Sequence, residues 1–513
     1  MEKALASASL GKLCLLRLRG HDRHPISRVL RPAVRTQWRG VDRRCRRAIT
    51  CVPAAQLSFG QPVHETHPHL LKAGEVTPNI SALEYYERRS KLARELAPGS
   101  IVILAASDIK YASGAVFYKF HQDPDFLYLT GFKEPDALAI IEKLDEEEHV
   151  FHLYVRPKDP KAEAWEGPRS GIDAAEDVFN ADVTGSIDDI PRLLPEIVNR
   201  SEIVYTDLPQ SRITRNILSR YLAGAEPSRT GGIASVFRDS KASIRPLRPL
   251  VNELRLIKSP AEVENMRHAG KHSGRAITDA MRQSFSTEKD LDSFLDYWFK
   301  QDGCDGPAYV PVVAGGINAN TIHYVSNDMQ LKADELVLVD AGAQYGGYVT
   351  DITRTWPVSG KFTPAQKDLY NLLLSVQRTC VSLCRTSSKF TLDKLHQTAS
   401  NSLAAGLKDL GFNMERDAIQ TLFPHHVGHY VGLDVHDSPG LPRSRFFEHG
   451  MCVTVEPGIY VPREDRWPKW AQGIGIRIED SVCIDEESPY VLTTEAVKEV
   501  VDIQALKGTP TKL

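Results

Sequence analysis

Asp340 and Asp351 bound the stretch Asp340-Ala-Gly-Ala-Gln-Tyr345-Gly346-Gly347-Tyr-Val-Thr-Asp351, which apolar residues enter and leave. This reads as a hairpin, and a centre at Tyr345 and Gly346 makes the two aspartates direct cross-strand partners. Opposed carboxylates destabilise a strand pair unless something compensates, and a hard divalent cation held between them does so. From this motif alone, two unrelated aspartates beside a turn read equally well.

A second cluster follows in Pro424-His425-His426-Val-Gly-His429-Tyr-Val-Gly-Leu-Asp434-Val-His436-Asp437. Four of the chain's 17 histidines fall within this short stretch, a density that suits metal binding or proton handling better than structural histidines. Glu456, in Val-Thr-Val-Glu456-Pro-Gly, and Glu479, in Gly-Ile-Arg477-Ile-Glu479-Asp480, each emerge from a β-branched apolar run. An acid leaving such a run is costly without a partner, although a solvated strand end would look the same. Together these residues give four carboxylates and an imidazole, a donor set for two borderline-hard ions: manganese foremost, with zinc or cobalt also suited. Two metals about 3.5 to 4 Å apart hold a hydroxide at neutral pH and polarise a carbonyl, which is the equipment for amide hydrolysis.

Regular elements must deliver these residues. Ser259-Pro-Ala-Glu262 and Thr287-x-x-Asp290 are capping signatures that open helices, a third helix starts at Thr363-Pro-Ala-Gln366, and a fourth runs from about Leu392 to Gly411. Strands are expected at 336–339, 348–355, 452–455 and 474–478, making residues 259–513 an α+β domain. Upstream, a helix through Leu83 to Leu96 stops at Pro98-Gly99, and strands follow at 101–105, 138–144, 150–155 and 202–205. This reads as a smaller α/β domain over residues 56–245, and the proline-containing segment 246–258 reads as a linker.

Composition places all this in a folded, water-soluble setting. The 513 residues are 42% hydrophobic and 25% charged, and no run approaches the ~18 apolar residues needed to span a bilayer. The overall charge of −3 is uneven: eleven Arg and two Lys against three acids give residues 1–50 a net +10, so the remainder carries −13. An Arg-rich, acid-poor leader without an apolar segment is the pattern of a mitochondrial transit peptide, assigned to residues 1–55. Its removal is expected between Arg47 and Phe59. A basic tail binding nucleic acid or anionic lipid is disfavoured by the acidic remainder, so no nucleic-acid partner is expected. The eight cysteines, Cys14, Cys45 and Cys51 among them, form no Cys-x-x-Cys pair, and a reducing compartment such as cytosol or matrix fits.

The ordered set Asp340, Asp351, His429, Glu456 and Glu479, in the contexts Val-Asp-Ala-Gly, Asp-Ile-Thr-Arg-Thr, Gly-His-x-x-Gly-Leu-Asp-Val-His, Val-Glu-Pro-Gly-Ile-Tyr and Arg-Ile-Glu-Asp, resembles the pita-bread metallopeptidases, specifically the aminopeptidase P branch. Asp125-Phe-Leu-Tyr-Leu-Thr-Gly-Phe132 resembles the signature of that branch's creatinase-like N-terminal domain. Phe59-Gly-Gln-Pro62, Thr66-His-Pro-His-Leu70, Gly74-Glu-Val-Thr-Pro78 and His425-His-Val-Gly-His429 are similar to its mitochondrial members. The resemblance covers about residues 59 to 505. It implies a pita-bread catalytic domain and two divalent metal ions, held by Asp340, Asp351, His429, Glu456 and Glu479. It further implies that Glu456 accepts a proton, that His323 and His436 contact the substrate and the tetrahedral centre, that His425 lines the site, and that Arg477 orients the carboxylates. His426 receives no role.

The implied activity is removal of one N-terminal residue from peptides or proteins, with matrix proteins already cut by the presequence peptidase among the substrates. Whether proline must follow the scissile bond, and whether the chain self-associates or touches the inner membrane, the sequence leaves open. A prolidase acting on Xaa-Pro dipeptides shares the ligands. A metal-free pita-bread binding module, or a creatine-hydrolysing relative, is opposed by retention of all five.

Overall fold

The computed structural model describes residues 58–145, 148–208 and 232–509. The basic leader, nearly all of the expected cleavage window, and Cys14, Cys45 and Cys51 lie outside the described residues.

The first part of the chain is built on a six-stranded mixed sheet. In spatial order its strands are Ser243–Arg245, Ile203–Tyr205, Ser100–Ala105, Leu138–Lys143, His149–Val155 and Val183–Ser186. The expected hairpin pairs Lys143 with His149 at its closed end, and two acids of its turn, 146 and 147, lie outside the described residues. Both faces of the sheet are covered, which is why its strands read as continuous apolar runs. Ile101, Ile103 and Ile140 pack on Leu194 and Ile197 of the helix Ile190–Asn199. Val102, Ala139 and Leu153 face Leu92 of the helix Ala82–Glu95 and Phe126 and Leu129 of the helix Pro124–Thr130.

Residues 248–256, expected as linker, fold as the helix Arg248–Leu256. Pro249 does not break it because it occupies the first turn, where its missing N–H is not needed.

The second part sets helices around small antiparallel sheets. Pro260–Arg282, Glu288–Gln301 and Pro364–Ser382 each begin with a complete capping box, on Ser259, Thr287 and Thr363, as their sequences require. Leu392–Asp409 is the fourth helix. Their apolar faces close on the strands in one large core containing Ile277, Leu295, Leu373 and Leu403 together with Val337, Val339, Val453 and Ile476. Gly270 lets the helix Pro260–Arg282 meet the C-terminal segment closely, since a Cβ there would lie 2.3 Å from the Leu492 carbonyl oxygen. Among the described residues no helix is long and apolar enough to cross a membrane.

The aspartate hairpin differs from expectation by one residue. Tyr345 pairs with Tyr348, so the turn is Gly346-Gly347, with φ of 61° and 94°. The observed two-residue turn has positive φ at both central positions, which two glycines adopt freely and Tyr345 would not. Asp340 therefore faces Thr353 rather than Asp351.

Candidate metal centre

The corrected register still brings the aspartates together. Asp340 ends the strand Leu336–Asp340, its partner Thr353 begins Thr353–Pro357, and Asp351 stands two residues before Thr353, hence on the same face and diagonal to Asp340. The Tyr309 hydroxyl lies between them, 2.6 Å from Asp340 Oδ1 and 2.7 Å from Asp351 Oδ1. One hydroxyl thus draws both carboxylates toward a single point.

His429 arrives on a loop laced to the strand Cys452–Val455. The Glu456 N–H donates to the Val427 carbonyl at 2.8 Å, and the His429 N–H donates to Thr454 Oγ1 at 3.0 Å. Gly428 sits so close to this strand that a Cβ would lie 2.0 Å from the Thr454 carbonyl oxygen. The His429 Nδ1 faces the Tyr430 carbonyl at 3.0 Å, so Nδ1 carries the proton and Nε2 turns inward, 3.4 Å from both Asp351 Oδ2 and Glu456 Oε1.

Arg477 and Glu479 enter from the opposite side. The buried Arg477 guanidinium donates from Nη2 to Asp340 Oδ2 at 2.7 Å, from Nη1 to the Tyr460 hydroxyl at 2.8 Å, and from Nε to Thr353 Oγ1 at 3.0 Å. Thr353 Oγ1 passes its own proton to Glu479 Oε2 at 2.6 Å. Tyr460 donates onward to His425 Nε2 at 2.8 Å, because His425 Nδ1 faces the His426 carbonyl at 2.9 Å. One arginine thereby fixes Asp340 directly and Glu479 through Thr353.

Glu479 Oε1 is buried and has no hydrogen-bond partner, an arrangement that asks for a cation. Ligand atoms of Asp351, His429 and Glu479 lie within 4.8 Å of one another. Electrostatics agree. Burial, with neighbouring carboxylates adding to it, pushes Asp340 up to about 6, Glu456 up to about 7 and Glu479 well above the carboxylate range. Burial would also raise Asp351, yet the hydrogen bond and charge of His429 hold it below its ordinary value. For His429 burial acts downward, and Asp351 and Glu456 overcome it to about 9. Four carboxylates against one guanidinium make a negative hole that protons fill when metals do not. The residues fit a divalent cation site.

Of the remaining residues expected here, His436 is exposed and sets its ring edge-on to His429, with centroids 4.5 Å apart. His323 is exposed on the loop before Tyr324, and its charge acts on His436. Burial and the Arg477 charge lower His425 to about 3, keeping it neutral. His426 turns away from the site, stacking on His396 at 4.5 Å. Tyr309, Thr353 and Tyr460 are site residues that the sequence reading missed. Single hydroxyls carry no periodic or charge signal, and their place at the site shows only once the chain is folded.

Residues 264–486 match the profile described as "Metallopeptidase family M24", and residues 85–205 match "Aminopeptidase P, N-terminal domain". The "Intermediate cleaving peptidase 55" of Saccharomyces cerevisiae is 46% identical over 456 residues, 87% of this chain and 88% of that protein. The chain belongs to metallopeptidase family M24. The human "Xaa-Pro aminopeptidase 3" is 38% identical, across 87% of this chain and 90% of the relative. Among solved structures, crystalline Icp55 from Saccharomyces cerevisiae matches with a TM-score of 0.77 at 42% identity, covering 85% of this chain and 100% of that one. Aminopeptidase P from E. coli with the inhibitor Pro-Leu gives 0.75 at 33% identity, over 83% and 98%. The fold is therefore the pita-bread domain preceded by the aminopeptidase P N-terminal domain, as the sequence motifs implied. The M24 domain is a metallo-aminopeptidase that acts on peptides with divalent metal ions.

Proposed function

We propose that this chain removes a single N-terminal residue from mitochondrial proteins already cut by the presequence peptidase, working in the matrix with two manganese ions. The observation that carries the reading is 46% identity to a yeast intermediate cleaving peptidase over nearly the whole of both chains. An Arabidopsis relative, 36% identical over 87% of this chain, bears the word "mitochondrial" in its name.

Asp340, Asp351, His429, Glu456 and Glu479 would hold the two ions. When bound, they supply Lewis acidity and a water acidic enough to react at neutral pH. Glu456, whose Oε1 lies 3.4 Å from His429 Nε2, would accept a proton from attacking water and return it to the leaving amine. His323 and His436 face the substrate, with His436 placed to donate toward charge developing on the scissile carbonyl oxygen. Arg477 holds Asp340 and, through Thr353, Glu479 at a fixed angle. The Arg477–Tyr460–His425 chain keeps an uncharged imidazole at the wall of the site.

Incubating the manganese-loaded protein, without its leader, with a peptide panel varied at the first two positions tests the activity. Mass spectrometry should find products shorter by one N-terminal residue. Cleavage confined to Xaa-Pro dipeptides would make the enzyme a prolidase. A chelator should abolish turnover, and manganese should restore it better than magnesium, because the His429 imidazole favours a softer ion than magnesium, which prefers oxygen donors and retains water. Activity persisting after exhaustive chelation would refute the metal requirement.

Address is tested separately. The +10 leader should drive import along the membrane potential and be cut between Arg47 and Phe59, before Gly60. N-terminal sequencing of protein from purified mitochondria should find that new terminus. Deleting residues 1–50 should leave the protein cytosolic and still active in vitro. An intact Met1 in mitochondrial protein would sink the processing step.

A further inference from the structure

The loop that presents His436 is held from outside the metal centre. Asp434 and Asp437 bracket His436, and both bind the same side chain, Arg255, in the last turn of the helix Arg248–Leu256. Arg255 Nη2 reaches Asp434 Oδ2 at 2.7 Å and also meets Asp437 Oδ1. The other fork nitrogen, Nη1, reaches Asp125 Oδ1 at 2.6 Å. Asp125 belongs to the N-terminal domain, in the first turn of the helix Pro124–Thr130. Lys258, three residues on, binds the second oxygen of Asp437 at 2.7 Å.

Arg255, Lys258 and Asp437 are all buried. Burial acts against the ionised form of Asp437, but the Lys258 and Arg255 charges hold it below its ordinary value, so the cluster remains charged. A guanidinium suits this place because its planar fork addresses several carboxylates at fixed angles, which an ammonium cannot reproduce. Gly432 completes the seat: a Cβ there would lie 2.4 Å from Asp437 Oδ2.

We infer that Arg255 is a positioning residue for His436, and that Asp125 makes this positioning depend on the docked N-terminal domain. The inference rests on the proposed role of His436 toward substrate. Its consequence is that catalysis senses the N-terminal domain through one buried guanidinium. The helix Arg248–Leu256 thus couples the two domains at the His436 loop, beside other contacts between them such as Arg88 with Tyr348 and Ser259 with Glu84.

The test is a double-mutant cycle on the manganese-loaded enzyme, using Asp125→Asn, His436→Ala and the pair, with kcat, KM, metal content and thermal midpoint recorded for each. Displacing a catalytic group by a fraction of an ångström slows turnover far more than it weakens binding. Asp125→Asn should therefore lower kcat about five- to tenfold, with KM within about twofold and metal content unchanged. In the His436→Ala background the same change should have almost no further effect, because the group it positions is already gone. Asp434→Asn, which removes the exposed leg of the cluster, should repeat this pattern in a variant with less risk to folding. Arg255→Lys should mimic both.

Multiplicative losses in the double variants would overturn the inference and leave a merely structural cluster. An unchanged kcat in folded Asp434→Asn and Arg255→Lys would overturn it as well. Wild-type turnover by His436→Ala would remove the premise, overturning the assignment of His436 and the inference with it. The metallopeptidase reading would then still stand on the peptide panel and chelation.

Discussion

Glu456→Gln should lose at least about a thousandfold in kcat while staying folded, since loss of a general base alone costs about 10²- to 10⁴-fold. Gln keeps the shape and can still accept the Thr454 Oγ1 hydrogen bond, 3.3 Å from Glu456 Oε1, so the strand end and the loop bearing His429 have no cause to rearrange. What it lacks is the anionic oxygen that faces His429 Nε2 at 3.4 Å and the ability to take a proton. Asp340→Asn should fail equally, for a different reason. An amide oxygen can still accept from Arg477, but the anionic charge proposed to hold a cation is gone. Removing a buried carboxylate whose ionised form is already disfavoured should leave the metal-free thermal midpoint unchanged or higher. Circular dichroism, metal analysis and turnover of the two purified variants decide the matter. Near-wild-type kcat in either, with metal content measured, would dismiss the ligand assignment.

The contrast between these residues and their supports explains what could be read from sequence. Capping boxes at Ser259, Thr287 and Thr363 are local chemistry, and all three helices begin where those residues stand. The carboxylates and histidines were legible because buried acids and clustered imidazoles are improbable without a purpose. Strand register was less so. Choosing between Tyr345-Gly346 and Gly346-Gly347 as the turn centre needs the φ requirement of the turn, and the wrong choice made Asp340 and Asp351 directly opposed instead of diagonal. Pro246 and Pro249 suggest a linker, whereas Pro249 sits in the first turn of a helix that Arg248 begins. Tyr309, Thr353, Tyr460 and Arg255 act only through residues remote in sequence. Arg255 contacts positions 130 and 182 residues away, which no local pattern encodes.

Loading metal should expel protons, and the metal-dependent gain in stability should grow with pH. In the metal-free protein Glu456 is raised to about 7, Glu479 lies well above the carboxylate range, and His429 is raised to about 9. All three shifts are upward, so the folded state binds more protons than the unfolded chain, and the slope of stability against pH is negative through this window. For the carboxyls, metal-free stability is full below the unfolded value near 4.5 and falls as pH rises through the folded one. For His429, the stabilisation present below about 6.5 is lost as pH approaches 9. A divalent ion needs these same groups as carboxylates and neutral imidazole, so its binding displaces the protons and strengthens as pH rises. At pH 7 filling the site should release a net number of protons, drawn from His429, Glu479 and Glu456. Calorimetric titration with manganese, in two buffers of different ionisation enthalpy, measures that number. Thermal midpoints with and without metal should diverge between pH 5 and pH 8, because the metal-free form weakens while the loaded form does not. Heats independent of buffer would mean that the ligands were already deprotonated, contradicting the negative hole formed by Asp340, Asp351, Glu456 and Glu479.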